Sequence, residues 1–323
     1  MDVPFRPWPS LETHAKLFPS RRFPGLFYYD YDPQHESYTQ SPQNEQGSRN
    51  GKPALILVHG LGDEADSWRH LIPLLGAAGY RVLAPDLPGF GRSPIPGGST
   101  LGRHRDAVLE LAGTVSGSSD GVVLVGSSMG AAVAVAAALA GFSRVNGRNN
   151  EAAPVKALVL LDGCFPIESA VSLKLFLITL PFVGRKWYRS FRSNPQGAWK
   201  SLFSYYADIQ SLSEEDKDFL RTRVMDRVCS SSQERGYFSS MRSMIFQSLR
   251  ASYYRRIGAW PGKIALVWGE KDVIMSRSHA ESFAKLRGGK PVELSVIPGA
   301  GHLPHQEKPG ETAEVILAFL KTL

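Results

Sequence analysis

A serine between glycines, a histidine on a glycine-rich loop and two aspartates near strand ends are the residues of this chain best suited to nucleophilic chemistry. Ser128 is the centre of Gly126-Ser127-Ser128-Met129-Gly130, directly after the apolar run Val122 to Ser127 and before an Ala- and Val-rich stretch. A chain that turns sharply from strand into helix strains the residue at the tip. It therefore needs small residues two before and two after that tip, and Gly126 and Gly130 supply them. A hydroxyl at such a tip attacks when a neutral imidazole takes its proton. The N–H of Met129, in the first turn of the following helix, then points at the developing oxyanion.

Three companions complete this chemistry. His59-Gly60-Leu61-Gly62-Asp63 follows another apolar run, and its glycines let the backbone curl so that Leu61 N–H is a second oxyanion donor. Gly299-Ala300-Gly301-His302 follows the run ending at Pro298, and His302 is the expected general base. His305, one turn on, is expected at the surface or pocket rim. For the acid that orients the imidazole, Asp272 in Trp268-Gly269-Glu270-Lys271-Asp272 ranks first and Asp162, at the end of another apolar run, second. His59 and Asp86 are read as loop-shaping residues.

These motifs sit in a regular alternation. Short apolar runs at Ala54 to His59, Tyr80 to Asp86, Val122 to Ser127 and Ala157 to Asp162 read as strands buried on both faces. Helix-like segments at Ser67 to Ala78, Thr100 to Val115 and Met129 to Gly141 separate them. The order resumes with Lys263 to Glu270, a helix near Ser278 to Leu286, Val292 to Pro298 and a last helix from Glu311. Alternating strands and helices predict an α/β fold, a mostly parallel sheet with helices on both faces and ligands at the carboxyl ends of the strands. The expected divisions are 1–52, a strand near Leu26 to Tyr31 plus a mobile loop over Asp32 to Lys52; 53–162 and 261–323, the two parts of the core; and 163–260, an inserted helical cap.

At 323 residues, with 43% hydrophobic and 21% charged residues, the chain can bury a large core. The net charge of +7 is localised: residues 163–260 hold 15 Lys+Arg against 8 Asp+Glu, an excess equal to that of the whole chain. A nucleic-acid partner is not expected, because no recognised module or aromatic-interleaved basic motif accompanies that charge. The same stretch holds 17 of the 33 Phe, Trp and Tyr residues. Helices are expected at Glu214 to Val228 and Arg235 to Leu249. The apolar run Leu173 to Gly184, followed by Arg185, Lys186, Arg189 and Arg192, reads as cap packing, with peripheral lipid contact as the alternative. Cys164 and Cys229 are expected as free thiols, and no ligand spacing suggests a metal or cofactor. The opening MDVPFRPWPS has no signal-peptide pattern and no run is long enough to span a bilayer, so a cytoplasmic protein is expected.

Taken in order, HGLGD, DLPGFGRS, GSSMG, WGEKD and GAGHLPHQEKP resemble the α/β-hydrolase superfamily over about Ala54 to Asp162 and Lys263 to Leu323. The resemblance implies the α/β-hydrolase fold with a cap in the insertion, a triad of Ser128, Asp272 and His302, and an oxyanion hole from Leu61 and Met129. A serine at the tip departs from the haloalkane dehalogenase and epoxide hydrolase branches, which carry aspartate there. The implied activity is hydrolysis of an ester-type bond (carboxylic ester, lactone or thioester) of a small to medium apolar substrate through an acyl-enzyme. Carbon–carbon hydrolysis, acyl transfer and a low-turnover ligand receptor stay open as alternatives.

Overall fold

The structure is a computed structural model, and it describes residues 5–33, 51–95, 97–115, 121–146, 155–163, 181–248 and 255–323. The expected mobile loop, for residues 34–50, lies outside the described residues, as do Cys164 and residues 173–180 of the apolar run.

Eight strands form one sheet in the order β1-β2-β4-β3-β5-β6-β7-β8. They are β1 (Ala15–Leu17), β2 (Phe27–Tyr31), β3 (Ala54–Val58), β4 (Val82–Pro85), β5 (Val122–Ser127), β6 (Val155–Leu161), β7 (Lys263–Gly269) and β8 (Val292–Ile297). From β4 onward every neighbouring pair is parallel, and β1 and β2 add an antiparallel edge. β1 is a correction to the reading of residues 1–52, which expected one strand. Only three residues long and half exposed, it carries no apolar run. The central strands β3 and β5 are buried along their whole length, as continuous apolar runs covered on both faces must be.

Helices cover the two faces. Core helices are α1 (Leu71–Ala77), α2 (Leu101–Val115) and α3 (Met129–Asn146); α4 to α7 come from the insertion between β6 and β7, and α8 (Ser278–Lys285), α9 (Pro304–Glu307) and α10 (Pro309–Leu320) close the chain. α2 and α3 pack on one face with β3, β5 and β6 through Val108, Leu111, Val133 and Ala137, while α1 and α10 pack on the other through Leu71, Leu75, Ile316 and Phe319. In the insertion the described helices are α4 (Pro181–Ser190), α5 (Pro195–Lys200), α6 (Glu214–Cys229) and α7 (Ser231–Ser248). Ser213 caps α6 by accepting Asp216 N–H at 3.1 Å, with Glu214, Glu215 and Asp216 in the first turn favouring the helix dipole. No helix among the described residues is long and apolar enough to cross a membrane. Cys229 is a free, exposed thiol.

Candidate active site

Ser128 lies one residue beyond β5 with φ 53°, the left-handed region that L-residues rarely adopt. Its N–H bonds Leu161 O at 2.9 Å, so the turn is tied to the end of β6. The flanking glycines are needed for close approach: a Cβ on Gly126 would run into the Gly130 carbonyl, and one on Gly130 into the Val58 carbonyl of β3. Met129 opens α3, so its N–H has no carbonyl one turn back within the helix to bond. The loop after β3 comes to the same place, since a Cβ on Gly60 would sit 3.3 Å from Ser128 Cβ and 3.9 Å from its Oγ. Leu61 follows directly.

Asp272 and His302, the expected acid and base, lie beyond β7 and β8. His302, buried after β8, donates from Nδ1 to Asp272 Oδ2 at 2.8 Å. Asp272 Oδ1 accepts Ile274 N–H at 2.7 Å and Met275 N–H at 3.0 Å. Burial pushes the Asp272 carboxyl up, but the hydrogen bond and charge of His302 outweigh it and hold it below the ordinary range. Asp162, beyond β6 and with φ 44°, points its carboxyl at the same pair: the polar atoms of Asp162, Asp272 and His302 lie within 4.8 Å of one another. Such a trio resembles a metal-ligand set. However, an Nδ1–Oδ2 separation of 2.8 Å is one a proton bridges, and two ligands of a tetrahedral ion stand farther apart.

Three other expectations fare differently. His59 is buried with both ring nitrogens engaged, Nδ1 donating to Gly60 O at 2.8 Å and Nε2 accepting Leu87 N–H at 2.9 Å, as suits a loop-shaping residue. Asp86 likewise accepts Ala65 N–H and Arg92 N–H, each at 2.7 Å. His305 is a correction: it is fully buried, stacked on Trp68 with ring centroids 4.2 Å apart and bonded through Nε2 to Ser67 Oγ at 2.8 Å. Burial, aided by the charge of Arg69, pushes its pKa down to about 3.

A family model described as "Alpha/beta hydrolase family" matches residues 55–315. The chain belongs to the alpha/beta hydrolase family. A haloalkane dehalogenase of Psychrobacter cryohalolentis is 42% identical over 89 residues, 25% of this chain and 29% of the relative. The dihydrolipoyllysine-residue acetyltransferase component of the acetoin cleaving system of Pseudomonas putida is 27% identical over 283 residues, 86% of this chain and 65% of the relative. The chain thus spans less than two thirds of the length of these curated relatives. Among solved structures, a thermophilic esterase from Thermogutta terrifontis shares the fold with TM-score 0.64 and 21% identity, covering 95% of this chain and 97% of that one. A 2-hydroxy-6-oxo-6-phenylhexa-2,4-dienoate hydrolase from a Rhodococcus species does so with TM-score 0.67 and 20% identity, covering 95% and 98%.

In this alpha/beta hydrolase the insertion is joined to both sides of the site by contacts the sequence did not announce. His302 N–H bonds Tyr205 O at 2.9 Å, and Glu307 binds Ala207 N–H at 2.7 Å and Gly301 N–H at 2.6 Å, clamping the histidine loop to residues 205–207. On the other side, Arg227 of α6 reaches Asp63 at 2.9 Å and Glu64 at 3.0 Å, and Arg223 reaches Glu64 at 3.3 Å. Burial raises the Glu64 carboxyl, but Arg227 and Arg223 outweigh it and keep it ionised. Tyr237 of α7 packs over the same loop, its ring 3.2 Å from where a Gly62 Cβ would be, and joins Leu61 in an apolar cluster. Glu307 does lie in a quoted motif, GAGHLPHQEKP, but nothing in the insertion marks Tyr205 or Arg227 as its counterparts.

Proposed function

We propose that this protein is a serine hydrolase that cleaves an ester-type bond of a small to medium apolar substrate through an acyl-enzyme on Ser128. The observation that carries this reading is the buried Asp272–His302 pair, bonded at 2.8 Å beyond β7 and β8. Like that pair, a serine strained at φ 53° lies beyond the carboxyl end of its strand, β5.

His302 takes the Ser128 proton through Nε2 as Oγ attacks the carbonyl carbon. Asp272 holds the Nδ1–H tautomer and stabilises the imidazolium. The N–H groups of Leu61 and Met129 receive the oxyanion. His302 then protonates the departing alcohol or thiol. Water, deprotonated by His302, attacks the acyl carbon and releases the acid and the free serine. Leu61 and Tyr237 supply an apolar wall to the site, consistent with an apolar acyl group. The insertion acts as the cap over the site.

Labelling by a fluorophosphonate, mapped by peptide mass, tests the reading. Modification of Ser128 in the wild type and none in Ser128→Ala is the expected result, and a folded wild type that stays unmodified sinks it. The Pseudomonas putida relative is named an acetyltransferase, and acyl transfer uses the same acyl-enzyme with a different acceptor. Product analysis with an added thiol separates the two.

A further inference from the structure

Asp162 has no step in that mechanism, yet its carboxyl is buried beside the acid that does. Its backbone is wedged between two strands of the site. Asp162 N–H bonds Val267 O at 3.0 Å, and the preceding carbonyl, Leu161 O, takes the Ser128 N–H at 2.9 Å. Oδ1 accepts Gly269 N–H at 2.8 Å. Oδ2 is buried and meets no N–H or O–H donor among the described residues. The carboxyl of Asp272 lies beside it, with polar atoms of the two residues within 4.8 Å.

Two carboxylates this close and out of water disfavour each other's charge, so one of them is driven to hold a proton. The donors around them decide which one keeps the charge. Among the described residues Asp272 receives Ile274 N–H, Met275 N–H and the His302 imidazole, whereas Asp162 receives Gly269 N–H alone. The proton therefore belongs on Asp162 Oδ2, the oxygen that no donor among the described residues satisfies.

We infer that Asp162 is a neutral carboxylic acid whose Oδ2–H is donated to the Asp272 carboxylate, making it a positioning residue that fixes the acid against His302. The inference rests on the reading of Asp272 and His302 as the acid and base of Ser128. The groups facing Asp162 agree on the protonated form. Burial raises its carboxyl most, the Asp272 charge next, and Glu307 of α9 adds to both, with only the Gly269 N–H acting the other way. A raised carboxyl favours the folded state below the ordinary aspartate value of 3.8, and that contribution is lost as the pH climbs toward the raised value.

The test uses Asp162→Asn, whose amide keeps both hydrogen bonds and cannot ionise, and Asp162→Ala, which keeps neither. Infrared difference spectra of the full chain at neutral pH should show a protonated-carboxyl band in the wild type that is missing from Asp162→Asn. The melting temperature of Asp162→Asn should gain on the wild type as the pH rises above 3.8. Asp162→Ala should lower the rate of fluorophosphonate labelling on the order of tenfold, and Asp162→Asn should recover most of that loss. The acid limb of the labelling rate against pH should keep its midpoint in Asp162→Asn.

An ionised Asp162 gives the opposite results. The band is then absent, Asp162→Asn melts lower than the wild type at neutral pH, and the acid limb moves down by about one pH unit or more as a neighbouring negative charge is removed. If the wild type is not labelled at all, the hydrolase reading fails, and the infrared and melting comparisons still decide the state of Asp162.

Discussion

On the β3–β5 side of the candidate site, Ser128 and the loop at Gly60 are held by backbone against backbone, with no room for a Cβ at Gly126 or Gly130. On the β6–β8 side, Asp162, Asp272, His302 and Glu307 are held by hydrogen bonds to side chains that titrate, from the backbone N–H groups of Gly269 and Gly301 and from the His302 imidazole. The first side should respond to volume and barely to pH, and the second to charge and protonation. A nucleophile needs a fixed, strained position, which close packing secures. An acid–base pair must exchange protons, and it does so through groups whose charge state their neighbours set.

The largest effects should come from removing the reacting groups. Ser128→Ala should abolish labelling, and Asp272→Asn should slow it on the order of 10⁴-fold while the circular dichroism spectrum is unchanged. Asp162→Ala should slow it far less, and the reverse ranking would transfer the acid role to Asp162. Next comes the anchor between the two sides of the molecule. Arg227→Ala strips Glu64 of a buried partner and should destabilise the fold by about 3–5 kcal/mol in urea unfolding; an effect below 1 kcal/mol would mean that the Arg227–Glu64 contact does not hold the insertion.

Gly130→Ala tests the packed side. It should cost about 1–3 kcal/mol or more by forcing α3 away from the Val58 carbonyl, with the same penalty at pH 5 and pH 8. A pH-dependent penalty would erase the contrast between the two sides.

The smallest effect is a pH dependence on the titrating side. Asp272 is held below the ordinary value of 3.8. It therefore stabilises the fold above that value, and the contribution disappears as the pH falls through the lowered one. The melting temperature of Asp272→Asn should accordingly lie below that of the wild type at pH 6 and converge with it in acid. Convergence on raising the pH instead would reverse the assignment of charge within the pair.

The parts legible in the sequence were those encoded locally. β5, the turn at Ser128 and α3 read directly from Val122 to Gly141, because a buried parallel strand is a continuous apolar run and the tip demands glycines. β1 is not legible in the sequence because three half-exposed residues carry no periodicity. His305 reads as solvent-facing because a histidine on a loop shows its burial only once Trp68 and Ser67, more than 230 residues earlier in the chain, are brought around it. Loop position in the sequence favours Asp272 over Asp162 without excluding either, and in the structure it is Asp272 that His302 meets.

By itself the sequence determined the order of the parallel strands β3 to β8 and of the core helices between them, the residues at those strands' carboxyl ends and the chemistry those side chains can perform. All of these depend on neighbours a few positions apart. Only the tertiary structure decided which aspartate carries the charge, how Arg227 and Glu307 tie the insertion to the two sides of the site, and that His305 belongs to the core. Charge state and burial depend on groups that are distant in the chain and become neighbours only when the sheet closes.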